Sequence, residues 1–320
     1  MLTDHTSFIR YLAAKKTIDD RSLSSHVFQT LSEMLKELYF NEEIQVMEAG
    51  CGIGSMIERM LAWGAFTRAS YTAVDLEPEY IAEAMGRLVR YGNETSTEVH
   101  KKTGNVLVLQ NHVQNIRIEL KVGDVIEFAK NNSGRREYHL IIAHAFLDLI
   151  DIYSFLPPIL SLVKPGGLLY FTLNFDGVTS LEPAIDAAID RQIISLYHET
   201  MDHRFVIGKP WGESKTGRHL LPFLQRSGLN ILDAGSSDWV LFPTNGSYQN
   251  DDAYFLHFIV DTIHRAVKLR PEINPGQLNS WADNRHMQVE RAELFYVAHQ
   301  LDVLAQTPFR QGNKNEAWSD

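Results

Sequence analysis

The sequence has one cysteine in 320 residues, Cys51. An internal disulfide and a cysteine-rich zinc site are thereby excluded. Cys51 lies inside a glycine cluster, where it reads first as a small residue that fits a tight turn, with a reactive thiol as the alternative. No apolar run approaches the roughly 18 to 20 residues that a membrane span takes. The start, MLTDHTSFIR, lacks the basic-then-apolar order of a secretory leader. A cytoplasmic protein without a membrane partner is the expectation. A dense Lys/Arg run is also missing, and 30 basic residues against 40 acidic ones leave a formal net charge of −10. That balance disfavours a nucleic-acid or anionic-surface partner and suits a neutral or cationic small molecule. Internal repeats and low-complexity tracts are absent, and so is any metal-ligand pattern. Hydrophobic content of 44% and charged content of 22% are ordinary for a globular chain, long enough here for one large domain with insertions or for two domains.

What is present centres on residues 44–57, IQVMEAGCGIGSMI. Ile44 to Met47 predict a buried strand, Gly50, Gly52 and Gly54 a tight turn, and Ser55 to Leu61 a helix. Glycine accepts positive φ and lets a ligand approach the backbone with no Cβ in the way. A dinucleotide fingerprint would place its third glycine at position 55, which is Ser55, so NAD and FAD are disfavoured. A second strand, Tyr71 to Asp75, ends in an acid 21 residues beyond Gly54. In a βαβ unit that spacing brings the strand end beside the first glycine turn, where a carboxylate can take both hydroxyls of a ribose. The alternative for Asp75 is an acid that caps the next helix, which opens at Pro78. Residues 91–118 predict a surface excursion with one extra short strand or helix. Ile116 to Val122 then form a third strand ending in Gly123-Asp124. Tyr138 to Ala143 read as a central parallel strand buried on both faces, followed by His144-Ala145-Phe146-Leu147-Asp148. Leu162 to Gly167, LVKPGG, is a stop-and-turn signal, and Leu168 to Phe175 a fifth strand.

Four features in this order, an acid before a G-x-G-x-G turn, a ribose acid, a Gly-Asp strand end and a K-P-G-G strand, closely resemble the class I S-adenosylmethionine (SAM)-dependent methyltransferases. The resemblance covers residues 44–175 by motif and the remainder only by element order. It implies a doubly wound α/β fold with a seven-stranded, mostly parallel sheet whose last strand is antiparallel. It implies SAM as cofactor, held by Glu48, Gly50, Gly52, Gly54 and Asp75. Asp124 would accept from the adenine amine, with Leu76 and Val125 on either side of the ring, unless Asp124 is only a helix cap. The loop after the central strand should meet the reacting end of the ligand, so His144 and Asp148 are the catalytic candidates. For His144 two readings stand, a proton acceptor or substrate orienter, and a structural histidine bonded to its neighbours. The Asn-Pro-Pro-Tyr tetrapeptide of amino-methylating nucleic-acid enzymes is absent from this loop.

The rest of the chain is organised around that core of residues 44–175. Residues 1–43 predict two helices of an N-terminal cap, separated by a solvated polar elbow, Lys15 to Arg21. Residues 176–216 are a cap insert, 217–242 a core helix and strand, 243–292 a helical cap insert, 293–306 the final core strand and 307–320 a frayed tail. Tyr11, Tyr153, His203 and Trp211 belong to segments assigned to the cap or its border and are the candidate substrate contacts. A large cap suits a small-molecule acceptor methylated on oxygen, nitrogen or carbon. A protein methyltransferase with an open groove, a SAM-binding protein without transfer activity, and a dehydrogenase are the alternatives.

Overall fold

The computed structural model describes residues 5–203, 205–206, 209–210 and 212–309. Along the chain run α1 (His5–Ser22), α2 (Ser25–Leu38), β1 (Ile44–Ala49), α3 (Ser55–Ala62), β2 (Arg68–Asp75), α4 (Pro78–Glu94), β3 (Glu98–Lys101), β4 (Val106–Gln110), β5 (Asn115–Val122) and α5 (Val125–Asn131). There follow β6 (Tyr138–His144), α6 (Ile152–Leu160), β7 (Val163–Glu182), α7 (Ala187–Asp202), β8 (Phe205–Val206), β9 (Lys209–Pro210) and α8 (Thr216–Arg226). The chain continues through β10 (Asn230–Ser236), β11 (Trp239–Leu241), α9 (Asp252–Val267), α10 (Pro275–Glu290) and β12 (Phe295–Gln306).

One large sheet runs β10-β12-β7-β6-β1-β2-β5-β4-β3, with β11 also paired to β12. Strands β7, β6, β1, β2 and β5 are mutually parallel. Strand β12 is antiparallel to both neighbours, β7 and β10. Successive residues of a strand face opposite sides, and β6 shows the result: Leu140 and Ile142 enter one core, Ile141 and Ala143 the other. The first core lies under α2, α3 and α4, the second under α5, α6 and α8. Each fully buried Leu, Ile or Phe contributes about 1.5–3 kcal/mol, which is why β6, buried on both faces, is apolar from Leu140 to Ala143. Among the described residues no helix is long and apolar enough to cross a membrane.

A third apolar cluster joins Ile18 of α1 to α7, α9 and α10 and to Phe175, Leu181, Tyr296 and Ala298 of β7 and β12. These two strands are longer than their sequences suggest. Strand β7 was expected to stop at Phe175 but pairs with β12 as far as Glu182. Asp176-Gly177 has the composition of a turn, yet here it is a bulge, with Gly177 at φ +72° and the register of β12 shifting opposite it. Buried Asp176 is held there by the Arg218 guanidinium (2.9 and 3.0 Å). The excursion of residues 91–118 likewise yields two strands, β3 and β4, that extend the sheet edge by antiparallel pairing on β5.

The N-terminal segment differs most from expectation. Residues 15–21 are not an elbow but the C-terminal turns of α1, and the break falls at Leu23-Ser24. Ser24 takes the capping position of α2 without a side-chain cap bond. Its backbone N–H donates to the buried carboxylate of Asp302 (2.8 Å).

Candidate functional site

The carboxyl edge of the parallel strands gathers most of the residues singled out in the sequence. Ala49 pairs with Val74 and with Ala143, and Asp75 with Val122. The ends of β1, β2, β5 and β6 therefore form one continuous rim. At the end of β1 the N–H groups of Gly50 and Cys51 donate to Val74 O (2.9 and 3.1 Å), which turns the chain across β2. Gly50, Gly52 and Gly54 lie at φ +68°, +51° and +78°, conformations that L side chains adopt only with strain. A Cβ on Gly50 would fall 2.2 Å from the Phe146 ring, one on Gly54 3.2 Å from Ala84 of α4, and one on Gly52 3.7 Å from Leu12. Gly50 thus permits the β6 loop to approach, and Gly54 permits close helix packing.

Asp75 closes the turn from the second strand. One carboxylate oxygen accepts from Gly52 N (2.7 Å) and the other from Glu77 N (3.0 Å). A carboxylate has about four lone-pair sites, so each oxygen keeps one for a ligand hydroxyl. Burial raises its pKa above the usual range, opposed by those backbone donors. Beside it Leu76 is 61% exposed, an apolar side chain left uncovered, while Val125 is buried. Asp124 caps α5, with one oxygen accepting from Ile126 N (2.8 Å) and Glu127 N (2.9 Å). The capping alternative is thus realised, while its second oxygen makes no hydrogen bond among the described residues. The rim thus brings together a turn with no Cβ at positions 50, 52 and 54, spare acceptor sites on both Asp75 oxygens, and an uncovered apolar side chain, Leu76.

Glu48 lies beneath the turn, where its carboxylate accepts from Tyr71 Oη (2.7 Å). Burial pushes it up to about 8, against the pull of Tyr71 and Arg59. An unfolded chain loses this proton near the ordinary glutamate value, whereas the folded protein keeps it to about pH 8. Over that window the native state binds more protons, so stability falls as pH rises, by about 1.4 kcal/mol per pH unit in the limit. Glu48→Gln is expected to flatten that slope, gaining stability at pH 8.5 and changing little at pH 4.5. Denaturant titrations at the two pH values check it, and an equal change at both would contradict the assignment.

His144 ends β6 and is engaged at both ring nitrogens. Nδ1 lies 2.8 Å from Thr172 Oγ1, and Nε2 lies 2.9 Å from Arg59 Nη1 and 3.2 Å from Asp19 Oδ2. Arginine has only protons to give and a carboxylate only accepts them, so Nε2 stands between a donor, Arg59, and an acceptor, Asp19, while Nδ1 shares a hydrogen bond with the Thr172 hydroxyl. Burial, then the Arg59 charge, hold this histidine down to about 3. The flanking Ala145 and Leu173 sit at φ +48° and +54°, held by Ala145 N to Thr172 O (2.9 Å) and Leu173 N to Asp302 Oδ1 (2.8 Å). Of the two readings of His144, the structural one has the geometry on its side: the ring is engaged at both nitrogens by Thr172, Arg59 and Asp19 and is weakly basic. A pH profile of turnover is expected to show no limb between pH 6 and 7, and one abolished by His144→Ala would restore the base.

His144 belongs to a buried ionic group that the sequence did not reveal. Asp19 receives Lys15 Nζ (2.7 Å), Arg59 Nη2 (3.3 Å) and Trp239 Nε1 (3.0 Å). Burial raises the Asp19 carboxyl, and Lys15, His144 and Arg59 overcome that and hold it well below the usual range. The charges of residues 15–21 were read as solvated, but Lys15 and Asp19 are buried. The signal available was Arg59 itself, a charge within the apolar run of α3.

The acceptor-side candidates divide. Tyr11 is enclosed, its ring stacked on Phe258 at 4.1 Å and Phe255 at 5.6 Å. Burial raises its hydroxyl pKa, helped by Asp19, Tyr197, Tyr296 and Asp148. Asp148 is half-buried in a single 3₁₀ turn, Leu147–Leu149, and its carbonyl accepts from Glu213 N (3.3 Å). Tyr153 does not join them: it is 57% exposed and packs edge-on against Phe223 of α8. His203 is exposed at the end of α7, with Nδ1 2.8 Å from Glu199 O of its own helix. Trp211 lies outside the described residues. Among the described residues His5, Glu77 and Glu79 form one group with metal-ligand spacing, donor atoms within 4.8 Å of one another.

No family model matches the chain. A malonyl-[acyl-carrier protein] O-methyltransferase of Priestia megaterium is 27% identical over 148 residues, 46% of this chain and 43% of that protein. The chain thus spans less than half the length of this relative. Among solved structures, a putative type II methyltransferase from Anaeromyxobacter dehalogenans is similar at TM-score 0.48 and 15% identity, over 89% of this chain and 97% of the other. A cyclopropane synthase from Mycobacterium tuberculosis is similar at TM-score 0.43 and 10% identity, over 88% and 84%. Over those 148 residues the chain is thus similar to a methyltransferase, and its sheet, with parallel β7, β6, β1, β2 and β5 and antiparallel β12, is the mostly parallel α/β arrangement expected from the sequence.

Proposed function

We propose that this protein transfers the methyl group of SAM to a small-molecule acceptor, in the cytoplasm. The observation that carries the reading is the meeting of the Cβ-free turn at Gly50 and Gly52 with the Asp75 carboxylate, which already holds Gly52 N at 2.7 Å and keeps acceptor capacity on both oxygens. Gly50, Gly52 and Asp75 would hold the ribose and amino-acid portions, and Leu76, Asp124 and Val125 the adenine. Bound there, SAM supplies a methyl group already activated by its sulfonium.

The chain's own contribution is alignment and exclusion of water. In-line attack needs the acceptor held at a near-attack distance, and that alone lowers the barrier by several kcal/mol. On this reading Tyr11 and Asp148 would face the acceptor; Tyr11 is stacked on Phe258 of α9, and Asp148 lies in the turn after β6. His144 keeps the end of β6 in place through Thr172 and Arg59 and moves no proton. Acceptors that attack without a strong base, such as an amine, a thiol, a carboxylate or an electron-rich carbon, fit this arrangement best. The relative from Priestia megaterium is named for malonyl-[acyl-carrier protein], so carboxylate acceptors, free and carrier-bound, belong in the first screen.

Incubation with methyl-labelled SAM and small-molecule fractions of source cells tests the reading. Label is expected in low-mass products. Label found only in protein, and not on a carrier-bound acyl group, would favour the open-groove alternative, and SAM binding without any transfer would favour a binding protein.

A further inference from the structure

The two faces of α1 are held by different forces. Toward α9 it stacks Tyr11 on Phe255 and Phe258 and pairs Arg10 with Asp251 and Arg21 with Asp252. Toward the core its contacts are ionic, and of its four buried residues, Ala14, Lys15, Ile18 and Asp19, two carry charge. A buried ion network gives little net stability over apolar packing of the same volume, but a guanidinium fixes the positions of its partners in a way that apolar contact does not. The partner here is Arg59, 1% exposed on α3, the helix that leaves the glycine turn.

We infer that Arg59 is the positioning residue that seats α1 over the cofactor turn and locks it to the reacting end of β6. Its Nε donates to Asp20, its Nη2 to Lys16 O (3.1 Å) and Asp19 (3.3 Å), and its Nη1 to His144 Nε2 (2.9 Å). Three acceptors on one helix and one on a strand end leave the planar fork a single arrangement. Through it the elements of both halves of the site are placed relative to each other. Leu12 of α1 is set beside Gly52. Tyr11 of the same helix is set among Asp148, Tyr197 and Tyr296. The far end of α1 is fixed where Ser24 N meets Asp302, and α2 beyond it is anchored by Val27, Leu31 and Leu35. Between that anchor and the guanidinium, α1 has one height above the turn. Its own charges come as the pairs Lys15–Asp19 and Lys16–Asp20, so Arg59 contributes the one guanidinium that joins α3, β6 and the core-facing side of α1.

The proposal rests on the SAM reading of the turn. It predicts that Arg59 acts on ligand affinity by seating α1 against the end of β6. Hydrogen exchange and calorimetric SAM titration are compared for the parent, Arg59→Met, Arg59→Lys and Asp20→Asn. In Arg59→Met, exchange of the α1 amides is expected to rise about tenfold while those of α4 and β1 keep their parent rates, and SAM affinity to fall about tenfold. Lysine is expected to recover only part of both, since one ammonium cannot span the four acceptors. Exchange rising equally throughout the chain, or α1 loosening with SAM affinity unchanged, would overturn the inference. If Arg59→Met does not fold, Asp20→Asn removes the charge of one partner at the solvent side, leaving a weaker amide-oxygen acceptor, and is expected to give the same local pattern, smaller. Parent-like α1 exchange there would overturn the inference as well. A parent protein that fails to bind SAM would sink the cofactor reading, while α1 exchange measured without ligand still decides the seat.

Discussion

Asp75→Ala is expected to weaken SAM binding at least about a hundredfold. Two hydroxyl donors on one ionised acceptor contribute about 1.5–3 kcal/mol each, and each 1.4 kcal/mol is tenfold in affinity. The same substitution leaves Gly52 N and Glu77 N without their acceptor, so the turn loosens as well, at a cost of about 1–3 kcal/mol for a donor left unmet in a half-buried place. Asp75→Asn should fall between, since its amide oxygen keeps one acceptor and its nitrogen turns a donor toward the other. Calorimetric titration of the three proteins measures it. Parent-like affinity in Asp75→Ala would mean that the end of β2 does not meet the ligand.

Gly50→Ala is expected to be the most damaging of the glycine replacements. At φ +68° alanine carries left-handed strain of about 1–2 kcal/mol, and its Cβ would lie 2.2 Å from the Phe146 ring. Phe146 is itself packed edge-on against Phe155 (5.8 Å), so it yields only by disturbing the second core. Overpacking of this kind costs about 1–3 kcal/mol more. Gly52→Ala meets only Leu12 at 3.7 Å, an ordinary contact, and is expected to cost the conformational strain alone. Thermal unfolding of both variants checks the order, and Gly52→Ala proving the less stable would show that Phe146 is not packed against the turn as described.

The parts of this site legible in the sequence are those that local spacing encodes. A strand, three glycines and a helix start occupy consecutive positions, and Asp75 follows one helix and one strand later, so topology places it without knowledge of the rest. The helix-capping role of Asp124 was legible for the same reason. The ionic group was not legible, because its members are distant: Asp19 and His144 are separated by 125 positions and Asp19 and Trp239 by 220. Polarity in residues 15–21 argues for solvent unless a partner is known, and the partner Arg59 carries no mark of its direction. Strand β7 misled for a different reason. Asp176-Gly177 has turn chemistry, and only the pairing of residues 179–182 with β12 makes it a bulge. The insert of residues 243–292 was legible as helical, but nothing local said which way Tyr153 and His203, on other segments, would face.

The central claim is that the glycine turn and Asp75 together form a SAM site, and titration of the purified protein with SAM, S-adenosylhomocysteine and NAD tests it most directly. One site is expected for SAM and for S-adenosylhomocysteine, lost in Asp75→Ala, with no heat from NAD. Binding of NAD in place of SAM, or SAM binding that survives Asp75→Ala unchanged, would contradict it.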